Sequence, residues 1–245
     1  MIDASELSCR YNERAYSNNL SFHITAHLNI LGANGSGKSM LARTLCGLLP
    51  YSGSLTLNRQ ELATLTPRTI AQTISYIPAK LELFDRYTTV EEFALLGRYP
   101  YKEPYAAYSR YDRDAVQETL TALGLDRLKK RRVTQLSSGQ QQLLLIAQAL
   151  IQSTKIMVFD EPTANLDPYN TLKFATLFQQ LQRNHTTVLI THDLALVQHL
   201  QGSVLFLHDH TATFYTQTEE FFDNDNLNYR YRVAFHPDTK ALLYE

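Results

Sequence analysis

The sequence predicts an α/β fold whose strand-rich core is interrupted by a helical insert. Three observations predict it. Short apolar strands alternate with helices near both ends, helical periodicity fills the middle, and a glycine-rich turn joins an early strand to a helix. The 245 residues suffice for one such domain carrying an inserted lobe. Hydrophobic content of 44% against 19% charged suits a folded chain rather than a disordered one.

In order, Glu6–Tyr11, Leu20–Ile24 and His27–Leu31 read as strands. A helix from Lys38 to Leu49 carries Leu41, Leu45, Leu48 and Leu49 on its apolar side. Pro50 and Gly53 punctuate, Ser54–Leu57 is a strand, and Thr69–Gln72 is helical before strand Ile74–Ile77. Helices are expected over Val90–Arg98, Asp112–Leu123 and Ser138–Gln152, with a tyrosine-rich loop over Tyr99–Tyr111. Strands return at Ile156–Asp160, Thr187–Thr191, Val204–Leu207 and Thr211–Tyr215, with a helix near Asn170–Arg183. The tail from Gln217 is polar and aromatic and carries no readable chemistry.

Charge and cysteine usage exclude several classes. Twenty-three basic against 24 acidic residues give a formal net charge of −1, which is no electrostatic footprint for nucleic acid. The run Lys129-Lys130-Arg131-Arg132 reads as a solvated helix end favoured by the C-terminal dipole. Cys9 and Cys46 belong to no paired metal or redox spacing and read as small apolar residues in a reducing compartment. Met1–Glu6 lacks the basic start and apolar stretch of a secretory signal. The apolar stretch Leu143–Ile151 is interrupted by Gln148 and falls short of the roughly 20 residues that span a bilayer. A soluble chain is expected, serving a membrane only through a partner.

Three segments carry chemistry. Gly32-Ala33-Asn34-Gly35-Ser36-Gly37-Lys38-Ser39 is a complete phosphate-binding loop between a strand and a helix. Its glycines let backbone N–H groups turn towards phosphate oxygens at a helix N-terminus. Lys38 would reach the β- and γ-phosphates of a nucleotide and Ser39 would help hold Mg²⁺. The four fixed positions would match by chance in only about one chain of this size per hundred. Next, Ile156-Met157-Val158-Phe159-Asp160-Glu161-Pro162 ends a buried strand in two carboxylates at the edge where open α/β sheets bind ligands. Asp160 would hold Mg²⁺ through its water shell and Glu161 would polarise an attacking water. Strand Thr187–Thr191 delivers His192 to the same edge. Third, Leu136-Ser137-Ser138-Gly139-Gln140 opens a helix with free N–H groups able to grip an anion, although alone it is only a good N-cap.

Order and spacing together resemble the ATP-binding cassette (ABC) ATPases over about residues 5–215. The loop Gly32–Ser39 resembles the family's Walker A, Ile156–Glu161 its Walker B, Leu136–Gln140 its signature, and Ala164-Asn165-Leu166-Asp167 the loop after Walker B. His192 resembles the switch histidine, and Tyr11 the aromatic residue that stacks on adenine. The resemblance implies a P-loop NTPase (RecA-like) core of residues 1–83 and 154–215, with an N-terminal antiparallel β part. A helical subdomain would occupy 84–153, and 216–245 would be a C-terminal extension. It implies ATP and Mg²⁺ as cofactors, with nucleotide contacts from Tyr11 and from Gly32 through Met40. Ser39 and Asp160 would hold the metal, with Glu161 and His192 catalytic. A second copy would pair head to tail, so that Ser137, Ser138, Gly139 and Gln140 act on the partner's ATP. A polytopic permease, and indirectly a substrate-binding protein, would complete the assembly at the cytoplasmic face of the inner membrane.

Two positions depart from the family pattern. Ser138 stands where the signature usually has glycine. Pro78-Ala79 stands where Pro-Gln usually follows the strand, and alanine cannot reach Mg²⁺ or the attacking water. The stretch Gly97-Arg98-Tyr99-Pro100 resembles a segment of the ATPases that drive uptake of iron–siderophore complexes, haem and cobalamin. Other cassette importers and a nucleotide switch with weak hydrolysis are the alternatives. A DNA-repair or ribosomal cassette would call for a coiled-coil insertion or a second cassette.

Overall fold

The computed structural model describes residues 1–11, 14–82, 85–208, 211–222, 233–236 and 241–244. The strands are β1 (Ile2–Tyr11), β2 (Arg14–Ile24), β3 (His27–Gly32), β4 (Tyr51–Leu57), β5 (Gln60–Glu61), β6 (Ile74–Ile77), β7 (Ile156–Asp160), β8 (Thr186–Ile190), β9 (Ser203–His208) and β10 (Thr211–Tyr215). The hairpin β11 (Val233–His236) and β12 (Ala241–Tyr244) lies in the tail. The helices are α1 (Lys38–Leu45), α2 (Pro67–Ala71), α3 (Val90–Leu95), α4 (Arg110–Ala122), α5 (Ser138–Gln152), α6 (Pro168–Gln182), α7 (Leu194–Gln198) and α8 (Thr218–Phe222).

The N-terminal strands form an antiparallel sheet in the order β2-β1-β4-β5. The central sheet runs β10-β9-β3-β8-β7-β6. It is parallel except for β10, which pairs antiparallel with β9 at the edge. Side chains alternate between its faces. Ile156 and Val158 of β7 face a core shared with Leu41 and Leu45 of α1 and with Ile2, Leu7 and Leu55 of the antiparallel sheet. Met157 and Phe159 face the opposite way, into a core with Leu144 and Ile146 of α5 and Phe174 and Phe178 of α6. The Phe159 ring meets Phe178 edge-on at 5.0 Å and Phe174 at 6.0 Å. All five residues of β7 are buried, as expected for a strand covered on both faces.

That second core does not stop at the sheet. It continues through Val90, Phe93, Val116 and Leu120 into the helices between β6 and β7. The helical insert therefore shares its interior with the core instead of enclosing one of its own.

Several boundaries differ from the sequence expectation for local reasons. Helix α1 stops at Leu45, not Leu49, because Gly47 adopts φ +68. Its N–H donates to Thr44 O at 2.9 Å and that of Leu48 to Arg43 O at 2.9 Å, which closes the helix in a Schellman motif. The helix expected over Val90–Arg98 breaks into α3 and a 3-10 helix over Leu96–Tyr101 that contains Pro100. The basic run is no α-helix end. It follows a 3-10 turn, Asp126–Leu128, and the carbonyls of Lys129 and Arg131 accept from Glu91 and Val90 N–H at 3.1 and 3.0 Å. Helix α7 is five residues long and capped by Asp193, whose Oδ1 accepts from Leu196 N–H at 2.9 Å, too short to leave a periodicity. Cys9 and Cys46 are buried free thiols, and burial pushes the Cys46 thiol far up.

The Gly97-Arg98-Tyr99-Pro100 stretch fastens the insert to the core. Pro100 O accepts from Gln72 Nε2 at 2.8 Å and from Arg68 Nε at 2.9 Å. Arg98 pairs with Asp112 at 2.8 Å, both side chains largely buried, and lies 4.4 Å over the Tyr101 ring. Gly97 packs against α5 so closely that an added Cβ would collide with Gln148 O and stand 3.1 Å from Gln152 N. Gly97→Ala should therefore lower stability by about 1–3 kcal/mol, read as a lower midpoint of urea unfolding.

Candidate functional site

Strand β3 ends at Gly32, and the next five residues turn the chain into α1. Gly35 takes φ +82 and Gly37, the residue before α1, φ +93, a region open to glycine at no steric cost. No atom lies within 4 Å of where a Gly35 Cβ would stand. Lys38 opens α1 with only 6% of its side chain exposed. Its ammonium donates to Gly32 O at 2.8 Å and Ala33 O at 3.0 Å. Burial lowers the Lys38 pKa, and the carboxylates of Glu161 and Asp160 oppose that fall. An ammonium has three protons, so one remains for an anion in the loop.

Asp160, the last residue of β7, is 3% exposed. Its Oδ1 accepts from the Ser39 hydroxyl at 2.8 Å and its Oδ2 from the Tyr76 hydroxyl at 2.7 Å. Glu161 follows at φ +48, uncommon for a residue with a Cβ. Its N–H still pairs with Ile190 O of β8 at 2.8 Å. The chain therefore leaves the strand sharply just beyond the sheet edge. Glu161 Oε1 then stands 3.8 Å from Lys38 Nζ and Oε2 stands 2.8 Å from His192 Nδ1. A carboxylate oxygen only accepts, so Nδ1 is the nitrogen that carries the proton. The His192 side chain is 55% exposed, leaving its far side towards solvent.

These groups enclose a cavity of about 430 Å³ lined by Asn34, Gly35, Gly37, Lys38, Ser39, Met40, Ala79, Glu161, Ala164 and His192. The structure thus brings Asn34, Gly35 and Gly37–Met40 of the loop together with Glu161 and His192 around one cavity. Asp160 is not in the wall and meets it through Ser39. The site fits a phosphate chain. The loop leaves space at Gly35 and offers a buried ammonium, and the buried Ser36 Oγ has no hydrogen-bond partner. No cluster of three or more His, Cys, Asp or Glu side chains able to hold a metal occurs among the described residues. A divalent cation here would have to share its shell with phosphate oxygens, as Mg²⁺ does in phosphoryl-transfer sites.

Ser137–Gln140 lie elsewhere and do not line this cavity. Ser137 caps α5: its Oγ accepts from Gln140 N–H at 3.3 Å, while Gln140 Oε1 accepts from Ser137 N–H at 3.0 Å, a capping box. Ser138 opens α5, and a Cβ on Gly139 would stand 3.2 Å from Asn170 Cγ. Tyr11 closes β1, but its side chain lies outside the described residues.

Sequence reasoning missed Tyr76. Tyr76 stands opposite Val158 and so on the face of β7 that carries Asp160, and that register is not legible in one sequence. It also gave no role to Asn165, whose Nδ2 donates to Ala79 O at 3.2 Å.

The strand order and the loop at the centre of the sheet place this chain among the P-loop nucleoside triphosphatases. Residues 17–164 match the family described as ABC transporter, and the chain belongs to that family. It is an ATPase, with ATP as its nucleotide. It is 31% identical over 216 residues to the achromobactin transport ATP-binding protein CbrD of Dickeya dadantii, covering 86% of this chain and 80% of that protein. It is 29% identical over 247 residues to the petrobactin import ATP-binding protein FpuD of Bacillus anthracis, covering 99% and 90%. A solved inward-facing ABC transporter, described as of metal-chelate type, superposes with a TM-score of 0.81 at 26% identity, covering 99% of this chain and 94% of that one.

Lys38 is the only lysine or arginine among the described residues that line the cavity. Lys38→Ala should weaken ATP binding by about tenfold to a hundredfold, the worth of one hydrogen bond to a charged group, as measured by titration calorimetry.

Proposed function

We propose that this chain powers a membrane importer by hydrolysing ATP, and that the cargo is an iron–siderophore, haem or cobalamin-type complex. The observation that carries the reading is the convergence of the phosphate loop, Glu161 and His192 on one cavity. The names of the achromobactin and petrobactin relatives support the cargo class. No helix among the described residues is long and apolar enough to cross a membrane, so passage would belong to a polytopic permease, with a substrate-binding protein upstream. The chain would then sit peripherally at the cytoplasmic face of the membrane. In this reading a core of residues 1–83 and 154–215 carries the helical subdomain 84–153, and 216–245 is an extension.

The residues divide the chemistry between them. Gly32 through Met40 wrap the phosphates with backbone N–H groups, and Lys38 adds its ammonium. Ser39 and Asp160 would hold Mg²⁺, which supplies charge to neutralise the phosphates during transfer. Glu161 orients and polarises the attacking water, and the His192 Nδ1 proton holds that carboxylate in place. Tyr11 would stack on the adenine. Ser137, Ser138, Gly139 and Gln140 complete the site of a second copy in a head-to-tail pair: the Ser137 Oγ accepts the cap bond, and its hydroxyl proton is left to donate.

In this reading the permease docks between core and insert. A cavity of about 1020 Å³ lies between core and insert on one side, with Leu48, Tyr87, Phe93 and Leu96 in its walls beside Lys80, Glu82 and Asp85. Leu48, Tyr87 and Leu96 are large apolar side chains left exposed there. Such anchors suit an amphipathic helix of a partner. Phe93 and Leu96 line the cavity, whereas the Tyr99–Tyr111 stretch does not.

Two measurements test the reading. Glu161→Gln keeps shape and hydrogen bonding but removes the charge on the water, so ATP should bind without turnover and hold a dimer. Size-exclusion chromatography with ATP and Mg²⁺ should show that dimer, and a monomer both alone and with the permease would overturn the pairing. Ala79 lines the catalytic cavity with no polar atom beyond its backbone, so the water lacks a positioning contact worth up to about 10²-fold in rate. Ala79→Gln should raise the steady-state ATPase rate, whereas an unchanged rate would mean that another group already fills the role.

A further inference from the structure

Tyr76 stands between two regions that the proposed function treats separately. Its hydroxyl donates to Asp160 Oδ2 at 2.7 Å. Arg43 Nε in turn donates to the Tyr76 oxygen at 3.4 Å. Asp160 therefore has each carboxylate oxygen fixed by one hydroxyl, Ser39 from α1 and Tyr76 from β6. Both Tyr76 and Arg43 also belong to the wall of the large cavity between core and insert, beside the exposed Leu48. Tyr76 is only half-buried, so one end of the phenol meets Asp160 behind the phosphate cavity while the residue also lines the cavity between core and insert.

The neighbouring chain makes this contact matter more. Two residues beyond the end of β6, Ala79 presents no side-chain donor or acceptor, and its carbonyl is taken by Asn165 Nδ2.

We propose that Tyr76 is a positioning residue that ties occupation of the cavity between core and insert to the placement of the Asp160 carboxylate. The inference rests on the reading of Asp160 as a holder of the divalent cation. A helix pressed into the cavity pushes on the Tyr76 ring or on Arg43, and the hydroxyl carries that displacement two atoms further to Oδ2. Because bonds within a hydrogen-bonded network are coupled, the same displacement alters how Asp160 faces Ser39.

The test uses the whole chain with Mn²⁺ as probe, its binding followed by electron paramagnetic resonance at saturating ATP. Tyr76→Phe keeps the ring and removes the hydroxyl, so Mn²⁺ affinity should fall about fivefold to tenfold. ATP affinity without divalent cation, which reports an intact fold and loop, should change less than about twofold on the same ground. Occupation of the cavity is imitated by a bulky maleimide on Leu48→Cys, the native Cys9 and Cys46 being buried. The label should shift Mn²⁺ affinity in the Tyr76 background and not in Tyr76→Phe, a double-mutant comparison that isolates coupling. Parental Mn²⁺ affinity in Tyr76→Phe, a label effect equal in both backgrounds, or no label effect at all would overturn the inference. Asp160→Asn separates the two readings. If it loses Mn²⁺ while Tyr76→Phe behaves as parent, only the role of Tyr76 falls; if it binds Mn²⁺ as parent, the reading of Asp160 falls as well.

Discussion

Strand β7, buried along its whole length, delivers Asp160 and Glu161 side by side to the edge of an apolar sheet. Withdrawing two carboxylates from water costs several kcal/mol each unless donors replace the solvent. The donors that do so arrive from three different neighbours of β7. Ser39 and Lys38 come from α1, Tyr76 from β6, and His192 from the chain beyond β8. The strand order puts β6 and β8 on either side of β7, so the geometry of the carboxylates and the pairing of the sheet cannot be altered separately. A slip of one residue in either pairing would turn Tyr76 to the opposite face or move His192 off the edge.

The same sheet decides how rigidly the insert is held. Phe159 and Met157 lie on the face opposite Asp160 and pack in one continuous core with Phe93, Val116 and Leu120 of the insert. Around its rim the Pro100 carbonyl is held by Arg68 and Gln72. On the other side of that boundary lies open space lined by exposed apolar side chains. The insert is thus hinged by packing along one seam and left free along another, and the free seam runs past Tyr76.

How much of this was legible follows from the range of each interaction. Strands β7 and β10 and helix α5 are read to the residue, because apolar runs and a Ser–Gln capping box are local signals. The phosphate loop is legible for the same reason: its chemistry lies in eight consecutive residues. Gly97-Arg98-Tyr99-Pro100 was legible as a pattern but not as a fastening, since its partners Arg68, Gln72, Asp112 and Gln148 are scattered. Tyr76 was not legible at all. Its significance depends on register between two strands about eighty residues apart, and nothing local distinguishes it from any aromatic residue suited to a strand. Gly47, by contrast, was a readable helix stop, and passing over it made α1 four residues too long.

Under the proposed head-to-tail pairing, one chain would present only half of a working site, and Ser137–Gln140 would complete the other. Ser137–Gly139 open α5 away from the cavity that holds Lys38 and Glu161, yet they are not mechanically remote from it. Gly139 lies against the Asn170 amide of α6, and Asn170 is held by Asp167 through its backbone N–H and its side chain, both at 2.8 Å. Asp167 in turn closes the loop that begins at Glu161 and contains Asn165, which holds the Ala79 carbonyl. A displacement of that loop when Glu161 engages a nucleotide would therefore be felt at the start of α5. Under head-to-tail pairing, that helix start faces the partner's nucleotide. Each chain would then report the state of its own phosphate loop through Asp167 and Asn170 to the site it completes next door, and two equivalent sites related by a two-fold axis would respond together.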